Sequence, residues 1–368
     1  MPLRKVIISG GGTGGHIFPA IAIANKIKEV HPDVDILFVG AEGKMEMEKV
    51  PKAGYKIEGL PIRGIQRKLT LKNLLVPFKL IASLWKARKI LRRFKPDIAI
   101  GVGGYASAAT LKVAAKMKIP TLIQEQNGFP GMTNKVLAKR AKTICVAYDG
   151  LEKYFPSHKI VKTGNPVRSE VVEIKGKRSA AFEKYKLDPN KKTILSIGGS
   201  LGARTLNESL KKDIQKLLAK DYQLIWQGGS FYKDNYQPFI EELNSPNVYF
   251  SDFIFDMDNA YAMADLIISR AGAISVSEVC LIGKPVILVP SPNVAEDHQT
   301  KNAMALVKED AAVLVKDAEA REKLVDEAIK ILEDESRCQT LSSNIKKLGI
   351  ADATDRILKE VEKLVNKV

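Results

Sequence analysis

Short apolar runs alternate with amphipathic stretches along the chain. In the first half, five runs rich in Val, Ile and Leu have the length and composition of buried strands. They are KVIIS from Lys5, DILFVG from Asp35, KPDIAIGVGG from Lys95, PTLIQEQN from Pro120 and KTICVA from Lys142. Stretches with helical periodicity lie between them: IFPAIAIANKIKEV, SAATLKVAAKMK and MTNKVLAKRA. This alternation predicts parallel strands connected by helices.

The second half of the chain repeats the same plan. Its predicted strands are KTILSIGGS, YQLIWQGG, NVYFSDF, DLIISRAG, KPVILVP and AAVLVKD, with helical stretches such as LNESLKKDIQKLLAK between them. We therefore predict an α/β protein with two doubly wound, Rossmann-like domains. Gly164 to Pro166 interrupt the pattern, which predicts domains of residues 1–165 and 166–349. The amphipathic helix predicted for residues 350–368 fits either domain by its pattern, and we place it with the first.

Positive charge is concentrated in one segment. The chain has a net charge of +16, and residues 63–95 contain eleven Lys or Arg but no Asp or Glu. Lys72, Lys79, Lys86 and Arg93 recur every seven residues and so follow one helical stripe. A core-facing helix explains the apolar residues between them but not the missing acids, and no aromatic stacking pattern supports nucleic acid as the partner. The segment predicts a helix lying on anionic lipid. Its membrane face comprises Leu75, Phe78, Lys79, Ile81, Trp85 and Lys86.

The overall composition is that of a globular protein and does not favour a membrane-spanning, disulfide-rich or metal-binding class. With 45% hydrophobic and 27% charged residues, the chain is an ordinary globular sequence. It has no apolar run of the roughly 20 residues that a membrane span needs and no signal-peptide pattern. Cys145, Cys280 and Cys338 form no CxxC pair and are expected to be thiols in a reducing compartment. The four histidines lack metal-site spacing.

A glycine-rich loop follows the first predicted strand. Gly10, Gly12 and Gly15 match G-x-G-x-x-G, and Glu42 follows the second strand, so a nicotinamide or flavin enzyme is one interpretation. The turn GGSLGAR in the second half has the same strand–turn–helix form. Two turns that present helix N-termini favour anionic groups held by both domains. His16 begins the first helix, where the helix dipole favours a neutral imidazole able to accept a proton.

Other polar residues lie just after predicted strands, at the carboxyl ends where open α/β sheets bind their ligands. Glu278 enters a helix after one strand and is placed to receive ribose hydroxyls, although an isolated helix glutamate is more often solvated. Gln299 and Asn302 follow another strand, and Glu125, Gln126 and Asn127 end a first-domain strand. Two Asp-x-Asp pairs occur, at Asp33 and Asp35 and at Asp256 and Asp258. The first precedes its strand and the second fits a helix cap, so we predict no metal site.

Seven motifs occur in the order found in the MurG family, the bacterial N-acetylglucosaminyltransferases that convert lipid I to lipid II. They are GGGTGGHIFPA, GVGGYAS, EQNGFPG, TGNPVR, GGSLGAR, AGAISVSE and DHQTKNA. The resemblance spans the chain from its first strand to its last helix. It implies the GT-B fold, with two domains facing a cleft, and a peripheral enzyme on the cytoplasmic face of the bacterial inner membrane. The implied substrates are UDP-GlcNAc and undecaprenyl-linked lipid I, with no cofactor and no nucleic acid.

The resemblance also implies roles for individual residues. The implied donor contacts are Thr13, Gly14, Gly15, Asn127, Arg168, Ser200, Ile254, Ala273, Ile274, Ser275, Val276, Ser277, Glu278 and Gln299. The implied acceptor-diphosphate contacts are Gly12, Thr13, Gly103, Gly104 and Tyr105. His16 is the candidate general base and Glu125 the reserve. Two departures are visible, because Leu201 replaces the Gln of GGSQGAR and Gln124 replaces the His of HEQN.

Three other functions fit parts of the pattern. A nicotinamide oxidoreductase would bind NADH, a membrane adaptor would ignore UDP, and a UDP-sugar epimerase would need no lipid acceptor. The motifs beyond the first glycine loop argue against all three.

Overall fold

The structure, a computed structural model, describes residues 3–62, 76–294 and 297–366. The chain divides into two compact units, residues 1–168 with 352–368 and residues 169–351. Each unit is built around a parallel sheet flanked by helices, as the alternating pattern predicts. No helix among the described residues is both long and apolar enough to cross a membrane.

The sheet of the first unit has seven strands in the order β3-β2-β1-β4-β5-β6-β7. The strands are β1 (Lys5–Gly10), β2 (Asp35–Ala41), β3 (Lys56–Leu60), β4 (Ile98–Gly103), β5 (Thr121–Glu125), β6 (Thr143–Val146) and β7 (Ile160–Lys162). The helices between them are α1 (Gly14–Val30), α2 (Glu46–Lys52), α3 (Val76–Phe94), α4 (Tyr105–Lys116) and α5 (Met132–Ala138). The five strands expected from the sequence are present, and the short edge strands β3 and β7 are additional. The chain reverses its direction of winding between β1 and β4, which are adjacent. In such sheets the carboxyl ends at this switch point are where ligands bind.

The second unit repeats the topology with six strands in the order β10-β9-β8-β11-β12-β13. The strands are β8 (Thr193–Ile197), β9 (Gln223–Gln227), β10 (Val248–Ser251), β11 (Leu266–Ser269), β12 (Val286–Leu288) and β13 (Val313–Leu314). The helices are α6 (Ser169–Val172), α7 (Arg178–Tyr185), α8 (Arg204–Ala219), α9 (Lys233–Leu243), α10 (Met257–Met263), α11 (Ala273–Ile282), α12 (His298–Val307), α13 (Ala320–Glu333) and α14 (Glu335–Lys347). Here the switch point lies between β8 and β11.

The last helix, α15 (Ala353–Asn366), packs in the first unit. Ile357, Leu358, Val361 and Val365 are buried in the same core cluster as the apolar side chains of α1. Lys26 of α1 also pairs with Asp355 at 3.3 Å. These apolar positions fall at i, i+1, i+4 and i+8, which is one face of a helix.

Lys284 provides a test of the packing of the second unit. Its Nζ donates to the carbonyl oxygens of Ala262 at 2.8 Å and Ala264 at 2.5 Å. Burial, reinforced by Arg178 and partly opposed by Asp265, lowers the pKa of Lys284 from 10.5 to about 8. Between these two pH values the unfolded chain binds more protons than the folded chain, so this group makes the free energy of unfolding rise with pH. Lys284→Met should remove up to about 3 kcal/mol of that rise. Urea unfolding at several pH values between 7.5 and 10.5 measures the free energy of unfolding of the wild type and the variant. The same change of this free energy with pH in both proteins would contradict the prediction.

Candidate functional site

Two glycine loops meet at the switch point of the first unit. One follows β1 and opens α1, and the other follows β4 and opens α4. A Cβ added at Gly104, where φ is +88°, would lie 2.5 Å from the carbonyl oxygen of Gly11. Only glycine allows this close approach at this backbone angle. The loops therefore bring two helix N-termini together, each with first-turn N–H groups that no helix carbonyl accepts.

His16 is held between these loops. Its Nδ1 lies 3.0 Å from the carbonyl oxygen of Gly11. A carbonyl only accepts, so Nδ1 carries the hydrogen and a neutral ring has its lone pair at Nε2. The ring packs against Gly103, where an added Cβ would lie 2.7 Å from Nε2. The geometry thus gives the tautomer that a general base acting through Nε2 requires.

Glu46 is a site residue that the sequence analysis missed. Its carboxylate is fully buried and accepts from the N–H groups of Gly12 at 2.9 Å and Ala41 at 3.0 Å. The Gly12 N–H, expected to contact the acceptor diphosphate, is therefore already engaged. The first-turn N–H groups that remain for a ligand belong to Thr13, Gly14 and Gly15. The segment KMEMEK contains Glu46 and Glu48, and no motif in it would have distinguished Glu46.

Glu125 braces the loop that follows β5. Its Oε1 accepts from the backbone N–H of Asn127 at 3.0 Å and its Oε2 from that of Gly131 at 3.0 Å. The side-chain amides of Asn127 and Asn134 donate to the same carboxylate. A buried carboxylate with four donors is suited to fixing a loop, and this geometry favours His16 over Glu125 as the base.

Gln124 lies within a buried network of side-chain amides. It is fully buried and donates from Nε2 to Oδ1 of Asn165 at 3.1 Å. Gln126 donates to Oε1 of Gln124 and to the carbonyl of Val102, and Asn165 donates to the carbonyl of Gln126. The replacement of His by Gln at this position is thus accommodated inside the first unit.

The remaining predicted residues of the first unit differ in exposure. Thr13 is exposed, and Tyr105 is 52% exposed beside the second glycine loop. Arg168 stacks on Phe18 with its guanidinium carbon 4.7 Å from the ring centroid. Its Nε is buried without a hydrogen-bond partner among the described residues.

The second unit has its own glycine turn, between β8 and α8. An added Cβ at Gly202, where φ is +87°, would overlap the carbonyl oxygen of Gly228. Ser200 and Leu201 are exposed at the tip of the turn. The departure at Leu201 therefore places an apolar side chain, 64% exposed, where the family pattern has an amide.

Gln227 connects this turn to Ile254. Its Nε2 donates to the carbonyl of Gly199 at 3.1 Å, and its Oε1 accepts from the N–H of Ile254 at 3.0 Å. Both side chains are buried. The resemblance implies a backbone contact between Ile254 and the uracil of the donor, but the Ile254 N–H is already engaged by Gln227, which fixes both segments.

Helix α11 begins at the carboxyl end of β11. The predicted residues Ala273 to Glu278 form its first turns. Val276 is buried in the core, and its N–H donates to the carbonyl of Gly272 at 2.9 Å, so this group is engaged within the helix. Glu278 Oε2 accepts from the hydroxyl of Tyr261 at 3.1 Å. The hydroxyl of Ser277, an implied donor contact, donates to the carbonyl of Ala273 at 3.0 Å within the same helix.

Helix α12 is tied to neighbouring loops by two side chains. Gln299 Oε1 accepts from the N–H of Ser291 at 2.8 Å. Asn302 Nδ2 donates to the carbonyl of Ala271 at 3.2 Å, which links α12 to the start of α11.

The DMD pair is engaged in ion pairs. Asp256 pairs with Lys184 at 2.8 Å and Asp258 with Lys177 at 2.6 Å. Asp256 precedes α10, but its side chain makes no cap hydrogen bond, so the expected capping role is wrong. Within the described ranges, no group of three His, Cys, Asp or Glu side chains is placed to hold a metal ion.

Helix α3 has a buried and an exposed apolar face. Ala87, Ile90 and Leu91 are buried in the core of the first unit. Phe78, Ile81 and Trp85 are exposed by 72%, 55% and 75%. Two cations of the stripe are paired within the unit, Lys86 with Glu42 at 2.7 Å and Arg93 with Glu58. Leu75 and Lys72 lie outside the described residues.

Comparisons with known proteins agree with this architecture. Residues 6–146 match the glycosyltransferase family 28 N-terminal domain, and residues 193–357 match its C-terminal domain. The chain is 56% identical over 363 residues to the UDP-N-acetylglucosamine–N-acetylmuramyl-(pentapeptide) pyrophosphoryl-undecaprenol N-acetylglucosamine transferase of Parabacteroides distasonis, with 99% of each chain covered. It is 57% identical to the protein of that name from Bacteroides fragilis, with 98% of this chain and 95% of the relative covered. The crystal structure of Acinetobacter baumannii MurG matches with a TM-score of 0.76 and 27% identity, covering 98% of this chain and all of the other.

Proposed function

This chain belongs to the MurG family of N-acetylglucosaminyltransferases, and from that premise we propose how its residues carry out the transfer. It is a glycosyltransferase with the GT-B fold that moves N-acetylglucosamine from UDP-GlcNAc to lipid I and so forms lipid II. Identity over nearly the whole chain, including both family domains, carries this conclusion. The residue roles below are our proposals.

In our proposal the second unit binds UDP-GlcNAc. Ser200 and the first-turn N–H groups of α8 and α11 hold the diphosphate, because helix N-termini attract anionic oxygens. Glu278, oriented by Tyr261, receives the ribose hydroxyls. Gln299 contacts the donor sugar. Arg168, the last residue of the first segment of the first unit, is proposed to compensate the charge of the leaving phosphates.

The first unit binds the acceptor in this scheme. Its diphosphate lies at the N–H groups from Thr13 onward and at the loop of Gly103, Gly104 and Tyr105. The 4-hydroxyl oxygen of the muramyl sugar attacks the anomeric carbon of the donor as the bond from that carbon to the diphosphate breaks. The hydroxyl proton passes to Nε2 of His16, UDP leaves with the bonding electron pair, and the linkage is inverted.

The exposed face of α3 is proposed to hold the enzyme peripherally on anionic lipid at the cytoplasmic membrane face. Replacing Phe78, Ile81 and Trp85 by Ser should release the protein from vesicles that contain anionic phospholipid, because their exposed apolar area supplies the insertion energy. Co-sedimentation with such vesicles measures binding, and transfer to a short-chain, water-soluble acceptor serves as the control for folding. Unchanged sedimentation would contradict this surface.

The first experiment follows labelled sugar from UDP-GlcNAc to a short-chain lipid I analogue, with and without EDTA. We expect transfer to survive chelation, because helix N-termini and Arg168 supply the positive charge for the leaving group. Loss of transfer that a divalent ion restores would overturn this assignment and return attention to Asp256 and Asp258. Tight UDP binding without transfer would instead favour a UDP-sugar epimerase.

A further inference from the structure

The buried carboxylate of Glu46 makes contacts that packing alone does not require. It is fully buried, and within the described part of the chain no Lys, Arg or His pairs with it. Both oxygens accept from backbone N–H groups, Oε2 from Gly12 and Oε1 from Ala41. An isolated buried charge is costly, so its position against a substrate loop calls for an explanation.

The two hydrogen bonds of the Gly11–Gly12 peptide group connect Glu46 to His16. The N–H of Gly12 donates to Glu46 at 2.9 Å. The carbonyl oxygen of Gly11, on the other side of the same peptide bond, accepts from Nδ1 of His16 at 3.0 Å. The carboxylate, one planar peptide group and the imidazole thus form a continuous chain of hydrogen bonds.

Hydrogen bonds connected in this way strengthen one another. A carboxylate that accepts from the N–H of a peptide polarises that peptide, and its carbonyl oxygen becomes a stronger acceptor. In hydrolase triads a carboxylate bonded directly to the histidine holds its tautomer and stabilises the imidazolium that forms. Here the same influence reaches the ring through a single delocalised amide.

The backbone of the loop is adapted to this arrangement. A Cβ at Gly11 would overlap the carboxylate of Glu46, and Gly12 has a φ of +88°. A side chain at Gly11 would displace the carboxylate, and one at Gly12 would strain the backbone of the loop. The glycines thus serve the connection to His16 as well as the approach of a ligand.

We propose that Glu46 is a positioning residue that acts through the Gly11–Gly12 peptide to hold His16 as the Nδ1–H tautomer and to stabilise its protonated form during transfer. The inference rests on the proposed role of His16 as the base. When the acceptor hydroxyl gives its proton to Nε2, the imidazolium retains its Nδ1–H bond to Gly11. The positive charge is then balanced through the peptide by Glu46.

The test compares Glu46→Gln with Glu48→Gln. Glu48 lies two residues away on α2 and is exposed, paired with Lys52, so its variant removes the same charge from the same helix without touching the loop. Glu46→Gln should lower kcat on the order of tenfold, as for outer partners of a functional histidine, with KM for both substrates unchanged. Glu48→Gln should match the wild type in both.

Selective ¹⁵N-histidine NMR of the unliganded protein provides the second readout. The wild type and Glu48→Gln should show His16 predominantly as the Nδ1–H tautomer, and Glu46→Gln should lose that predominance. A lower kcat with the wild-type tautomer would reduce Glu46 to a structural brace and overturn the proposal, as would wild-type behaviour in both measurements. Because the tautomer is read without substrate, it decides the role of Glu46 even if His16→Ala shows that His16 is not the base.

If Glu46→Gln does not fold, a measurement on the Gly12 amide proton replaces it. That proton should resonate downfield in the wild type and move upfield in His16→Ala, because loss of the Nδ1–H donor weakens the whole chain of hydrogen bonds. An unchanged Gly12 resonance would overturn the connection through the peptide.

Discussion

His16→Ala should lower kcat by about 10²–10⁴-fold at saturating concentrations of both substrates, the usual contribution of a general base. The structure gives the reason, since Nδ1 donates to Gly11 and a neutral ring therefore offers Nε2 to the hydroxyl proton. Transfer of labelled N-acetylglucosamine to a soluble acceptor analogue measures the loss. His158, which is exposed and lies outside the glycine loops, provides the matched His→Ala control. A His16→Ala enzyme that keeps most of its turnover would remove this residue from the chemistry.

Glu278→Ala should weaken UDP binding by about 10²-fold, because two charge-assisted hydrogen bonds to the ribose would be lost. The carboxylate is oriented by Tyr261, whose hydroxyl bonds Oε2 at 3.1 Å. Isothermal titration calorimetry with UDP and 2′-deoxy-UDP measures the effect. The wild type should prefer UDP, and the variant should bind both ligands about equally.

Two companions sharpen this experiment. Tyr261→Phe should give a smaller loss with the same dependence on the ribose hydroxyl, since it leaves the carboxylate in place but less constrained. Glu309→Ala removes an exposed glutamate of the same unit and should bind UDP as the wild type does. If Glu278→Ala still discriminates between the two nucleotides, the ribose contact lies elsewhere.

The fold was largely predictable because its central strands are buried on both faces and read as continuous apolar runs. The strands β3 and β7 lie at the edges of their sheet, where KIEGL and IVK are short and partly polar, and neither shows such a run. The last helix was ambiguous for a different reason. Its amphipathic pattern shows that one face is buried but does not specify which core covers it.

The candidate site was predictable where glycine turns and helix starts carry their own signal. The contacts of Glu46, Gln124 and Gln227 were not, because burial of a polar side chain depends on strands distant in sequence. The basic stripe shows a similar limit. Lys86 and Arg93 fit a lipid-facing row by spacing alone, yet each finds a carboxylate on a neighbouring segment of the first unit.

The return of α15 to the first unit has a consequence for synthesis on the ribosome. The face of α1 that includes Ile17 and Ile21 shares its core with Ile357 and Val361, which are made only after the whole second unit. Domains generally fold in the order of their synthesis, but here the second can complete its core before the first. Until α15 emerges, the amino-terminal unit presents an uncovered apolar surface of the kind that chaperones bind. Premature termination shortly before residue 353 would leave that surface exposed permanently and mark the chain for degradation.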